Sequence, residues 1–285
     1  MLAQAADVPM AGTAPVAPRW ACLEHRGAWP RDITRHTDPA IVGFAARAAA
    51  AGFRLQLIRR PGRRSDDARM RLYLTDTTPP GAHTTLVTVA GPTDLLDLPL
   101  PPLGEGLPGQ CVDDPLLLVC THGRRDRCCA LDGRALVKAL IEAGEPDVWE
   151  CSHLGGHRFA PTAMVLPTGY VYGHLDVALA ARIRERAAAS EVETERCRGR
   201  CTWSPGGQVA ELAVRAATGL CGPDDLVMID DRGSTVHLNS AAGGRWAVDV
   251  EPVEVDATRP ASCGARPTLV APLRAAAVRK LRGSR

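Results

Sequence analysis

Two short stretches carry side chains that could do chemistry. CTHGRRDRCC, residues 120–129, offers Cys120 and Cys129 in a C-x8-C spacing, and HLGGH offers His153 and His157 four residues apart. Two thiols and two imidazoles are soft or borderline donors, suited to a tetrahedral zinc or to an iron–sulfur cluster. Gly155 and Gly156 carry no Cβ, so the backbone between the histidines can fold tightly and let a bulky inorganic core approach. The H-x3-H half fits a zinc finger, whereas C-x8-C is longer than a zinc knuckle. On these residues alone the two metal readings are evenly matched.

The elements around these stretches place both at the ends of strands. An apolar run at 116–119, a helical pattern over 133–143, a strand at 148–151, paired strands at 163–167 and 170–172 and a helix over 176–189 give the order β-α-β-β-β-α. A strand, crossover helix and strand make a right-handed parallel pair, and the short PTG turn at 167–169 makes the next two strands a hairpin. This is thioredoxin-like topology with one helix missing. Both motifs leave the carboxyl ends of the parallel strands, where open α/β sheets bind ligands.

On either side of this unit the patterns are mixed. Residues 1–18 are rich in Ala and Pro without apolar periodicity and read as a flexible leader. A helix at 39–51 and the runs FRLQLIRR, MRLYLTD and TTLVTVA follow, and the 92–109 connection with five prolines and three glycines suggests a boundary. Beyond 192 the sequence predicts a helix over 206–219 with Ser204 as N-cap, strands at 225–229, 235–239 and 246–250, and a weak helix at 273–281. The expected architecture is α/β with α+β flanks: 19–110, a thioredoxin-like unit at 111–192, and 193–285.

Several features together resemble the sucrase/ferredoxin-like family. They are the C-x8-C stretch with its internal His122, Arg125 and Asp126, the H-x-G-G-H stretch, EHRGAW at 24–29, and RGR followed by QVAELAVR between 198 and 215. The resemblance covers most of the chain from Cys22. It implies a ferredoxin-type domain holding a 2Fe-2S cluster through Cys120, Cys129, His153 and His157, with His122, Arg125, Asp126, Gly155, Gly156 and Arg158 around it. It also implies an electron carrier that meets a redox partner protein. A cluster with two thiolates is neutral when oxidised and doubly negative with four, so its potential should exceed that of all-cysteine plant-type ferredoxins. Arg124, Arg125, Arg127 and Arg158 push the same way. The second nitrogen of each imidazole would make reduction pH-dependent. The glycine-rich cover leaves the histidine side expected nearer solvent.

Other readings are weaker. CRGRC supplies Cys197 and Cys201, but after the last helix of the unit. No C-x-x-C occurs for thiol–disulfide exchange, and the adjacent Cys128 and Cys129 could bridge only with strain. Sugar hydrolysis would need two facing carboxylates, and Glu150 and Asp176 read as a strand flank and a helix cap. Cys22, Cys111, Cys151, Cys221 and Cys263 are expected as small buried hydrophobes, Trp149 as core, His174 as inert and His122 as solvated.

Composition is that of an ordinary globular chain of 285 residues, with net charge +2 and 45% hydrophobic residues. Its basic residues are nearly all arginine and are balanced by 32 acids along the chain, which does not favour nucleic-acid binding. No apolar run approaches the ~20 residues of a membrane span, and the N-terminus lacks a signal-peptide pattern. Ten cysteines without an export signal suggest a cytoplasmic protein with metal or redox chemistry.

Overall fold

The computed structural model describes residues 8–62, 69–145, 147–231, 233–254, 259–260, 267–268 and 271–282. The α/β class expected from the sequence holds. Strand β1 (Arg19–Glu24) leads to helix α1 (Pro39–Ala50), which starts cleanly because Asp38 accepts from Ala40 N and Pro39 needs no partner for its nitrogen. Strands β2 (Phe53–Arg59), β3 (Met70–Asp76), β4 (His83–Val89) and β5 (Gln110–Val112) follow. The next unit is β6 (Leu116–Cys120), α2 (Arg134–Glu142), β7 (Val148–Cys151), β8 (Ala163–Leu166), β9 (Tyr170–Tyr172) and α3 (Val177–Ala188). Then come β10 (Cys197–Arg200), α4 (Pro205–Thr218), β11 (Leu226–Asp230), β12 (Thr235–Ser240), β13 (Arg245–Pro252), the short pair β14 (Arg259–Pro260) and β15 (Pro267–Thr268), and β16 (Leu273–Leu281).

Strands β1 to β10 form one sheet in the order β10-β9-β8-β6-β7-β2-β1-β3-β4-β5. Within it, β6 and β7 are parallel, β8 is antiparallel to β6, and β9 to β8, which is the thioredoxin-like arrangement read from the sequence. The first half repeats it: β1 and β2 are parallel, β3 is antiparallel to β1, and β4 to β3. The two units meet edge to edge, β2 against β7, with Ile58 opposite Cys151 and Arg59 opposite Glu150. The sheet thus runs unbroken across the proline-rich 92–109 connection.

Register divides the side chains between two faces. Leu23, Leu57 and Leu72 bury with α1, while Leu117, Val119 and Val148 bury with α2 and α3, so the helices share one face. The other face curls on itself. Trp20, Ile58, Tyr73, Leu118, Trp149, Met164 and Val171, from strands along most of the sheet, meet in one interior core. Residues 8–18, expected as a flexible leader, lie against this closure: Gly12 N and Thr13 N donate to Arg198 O, and Ala17 N to Cys201 O.

The last strands form a separate four-stranded sheet, β11-β12-β13-β16, packed on α4. Residues 273–281 are a strand and not the weak helix their alanines suggested. Pairing with β13 along its length overrides local propensity. Helix α4 matches expectation, with Ser204 accepting from Gly207 N. The QVAELAVR motif supplies its buried polar side: Arg215 pairs with Glu211 at 3.0 Å, both fully buried, and Tyr170 Oη and Trp203 Nε1 also bond Glu211.

Candidate metal centre

Cys120 is the last residue of β6, with its thiol on the curled face, and its backbone is fixed by Cys120 N donating to Thr162 O at 2.9 Å. The following loop folds back sharply. The amides of Arg125 and Asp126 donate to His122 O, and Asp126 Oδ1 accepts from Cys128 N at 2.9 Å. Cys129 then opens a π-helical turn (Cys129–Gly133) that feeds α2. Gly133 lets this turn sit on β6, because a Cβ there would lie 2.1 Å from Cys120 O.

The second loop is held by the first half of the molecule. Ser152 N donates to Leu57 O at 2.7 Å and Ser152 Oγ accepts from Leu57 N, so HLGGH begins as a continuation of the β2–β7 pairing. Leu154 is buried in the interior core. Gly156, at φ +68°, then turns the chain into the short helix His157–Phe159.

Cys120, Cys129 and His153 come together, with one donor atom of each lying within 4.8 Å of the other two. His157 stands beside this group: its ring stacks on that of His153 with centroids 5.8 Å apart, and its Nε2 lies 3.6 Å from Asp126 Oδ2. The two cysteines are buried, His157 is 8% exposed, and His153 is half-buried. The thiol of Cys120 is held well below its ordinary pKa, first by a hydrogen bond from Cys129 and also by bonding to His153 and to the His122 backbone. The Cys129 thiol moves the opposite way, because it donates to Cys120 and is itself buried.

The surrounding residues divide into those facing the group and those spent elsewhere. His122 is buried and not solvated as expected, because Trp29 of the EHRGAW stretch covers it edge-on at 5.9 Å. Burial lowers its pKa. Arg124, Arg125 and Arg127 are exposed, and Arg158 is half-buried over the Phe159 ring. Cys197 and Cys201 sit in different cores, one among Tyr172 and α3 side chains and the other beside Trp20, so they do not face one site. Glu150 pairs with Arg59, and Asp176 caps α3 through Leu179 N at 2.8 Å. Cys22 and Cys151 are buried as expected, Cys111 is exposed, Cys221 is half-buried, and Cys263 lies outside the described residues.

Arg198, in the sequence only the first residue of RGR, holds the second loop from inside. This arginine is 1% exposed, donates from Nη1 to Gly155 O at 3.0 Å and from Nε to Thr13 Oγ1 at 3.1 Å, and also bonds Thr13 O. Its head fills the space a side chain at residue 156 would need: a Cβ on Gly156 would lie 2.2 Å from Arg198 Nη2. Burial pulls its pKa down to about 9, with Arg158 acting in the same direction and the thiols of Cys120 and Cys129 opposing. RGR was visible in the sequence, but nothing there said that its first arginine turns toward the HLGGH loop.

The donor set suits a thiophilic metal. Two sulfurs and one imidazole converge at a water-poor rim, a second imidazole is adjacent, and His153 Nδ1 is buried with no hydrogen-bond partner among the described residues. The fold and site define a thioredoxin-like α/β protein with a Cys/His group able to hold a metal ion. A family model described as sucrase/ferredoxin-like matches residues 10–199, and the chain belongs to that family. Searches of curated proteins and of solved structures find no significant match. Among the described residues no helix is long and apolar enough to cross a membrane.

Proposed function

We propose that the protein is an electron carrier whose centre is a 2Fe-2S cluster, with Cys120 and Cys129 holding one iron and His153 and His157 the other. The observation that carries this reading is the convergence of Cys120, Cys129 and His153 from two strand-end loops, with His157 stacked alongside, in a chain of this family. When bound, such a cluster supplies one-electron transfer. The chain's own part is to keep water from the sulfurs, to hold the imidazoles through the β2–β7 pairing and Arg198, and to leave half-buried His153 as the contact for a redox partner protein. Two neutral ligands in place of two thiolates make the oxidised centre uncharged and easier to reduce. Replacing His153 or His157 by Cys should therefore keep a cluster and lower its midpoint potential. A potential unchanged in both variants would refute histidine ligation.

A single zinc is the second reading. Three donors within 4.8 Å suit one ion, with His157 held aside by Asp126. Iron, sulfide and zinc assays on one sample separate the two.

A further inference from the structure

A groove of about 290 Å³ opens next to the centre, between the loop after β1, strand β2 and the HLGGH loop. Its walls include Arg31, Arg54, Arg125, Gln56, Ser152 and His153. Three of the polar groups there are already committed, while the buried ring nitrogens of His122 and Nδ1 of His153 have no hydrogen-bond partner among the described residues. Gln56 Nε2 donates to Ser152 O at 2.5 Å and Ser152 Oγ accepts from Leu57 N. Asp32, the acid in the lining, accepts from both Thr34 N and Thr34 Oγ1 at 3.0 Å.

Arg54 is different. Register opposite Trp20 puts it on the curled face, and its guanidinium lies over the Trp20 ring at 5.1 Å. It is half-buried, and no hydrogen bond or ion pair engages it among the described residues. Its electrostatic neighbours are Cys201 and Cys151, buried side chains of the interior core, and no carboxylate is among them. Desolvation lowers the pKa of Arg54 itself. A partly desolvated guanidinium without a counter-charge is costly. It costs less where an anion completes it, and its planar fork matches a two-oxygen acceptor. Arg31 and Arg125, both exposed, add positive charge at the rim.

We propose that this groove is a binding site for a small oxyanion, a carboxylate or phosphate group, held by Arg54 next to His153. Its volume suits a small molecule near the low end of ligand pockets. The site requires Arg54 and the groove but no particular metal, so it stands or falls apart from the cluster reading.

Calorimetric titration of the purified full chain tests it, with sodium malonate and inorganic phosphate as probes against chloride at matched ionic strength. One anion per chain should bind saturably. Arg54→Gln should weaken binding roughly tenfold to a hundredfold, the loss of charge-assisted hydrogen bonds. Arg54→Lys should keep part of it, and Arg35→Gln, an exposed arginine outside the groove, should leave it unchanged. Absence of saturable binding by either probe, or equal affinity in wild type, Arg54→Gln and Arg54→Lys, would overturn the proposal. So would Arg54-dependent binding of an Asp/Glu-rich peptide in the absence of malonate or phosphate binding, since the groove would then take a partner's carboxylate.

Discussion

At the scale of single residues, the side chains that converge were legible because their types are rare and their spacing unusual. Cys120, Cys129 and His153 converge from two stretches found by spacing alone. The residues that hold them were not legible, because their partners are distant in sequence. Arg198 reaches Gly155 and Thr13, and Trp29 reaches His122. Arg198→Met should remove the donors on the Gly155 carbonyl and cost roughly 1–3 kcal/mol in urea unfolding, together with lost metal occupancy. Arg198→Lys should recover part of both. Full metal content in Arg198→Met would show that the loop does not depend on it. A separate residue-level effect concerns His25 and His174, whose pKa values burial lowers below the ordinary 6.5. The folded state prefers them neutral, so their contribution is complete above pH 6.5 and is lost as pH falls toward their lowered values. The urea midpoint should drop between pH 7.5 and 5.5, and the drop should shrink in His25→Gln.

At the scale of elements, apolar runs and caps gave the strands and helices of the middle unit, since β6, β7 and α2 carry uninterrupted patterns. Pairing, which is non-local, gave the rest. Residues 273–281 became a strand through β13, and CRGRC, read as a possible ligand pair, became the edge strand β10 against β9. The joint between β6 and the turn opening α2 depends on one missing side chain. Gly133→Ala would drive a Cβ into the Cys120 carbonyl and should destabilise the fold by roughly 1–3 kcal/mol, with loss of metal because Cys129 moves away from Cys120. Thermal melts and metal analysis read both effects, and a wild-type melting temperature would contradict the tight contact.

At the scale of the molecule, the repeat of one strand–helix–strand–hairpin unit was hidden. Equivalent loops carry unrelated residues: EHRGAW lies after β1 where CTHGRRDRCC lies after β6. Joining the two units through β2 and β7, with a shared interior core, makes the two Cys/His loops depend on both halves. The Arg215, Glu211 and Tyr170 network ties α4 to the sheet. Arg215→Ala leaves Glu211 buried without its cation and should cost roughly 3–5 kcal/mol in unfolding free energy. A cost near zero would mean that the carboxyl is held neutral.

The proposed 2Fe-2S centre can be tested on one sample. Anaerobically purified protein should be red-brown, contain about two irons and two sulfides per chain, and give on dithionite reduction an EPR signal of low average g, as bis-histidine Rieske centres do. A colourless protein with one zinc per chain, unchanged after cluster reconstitution, would contradict it.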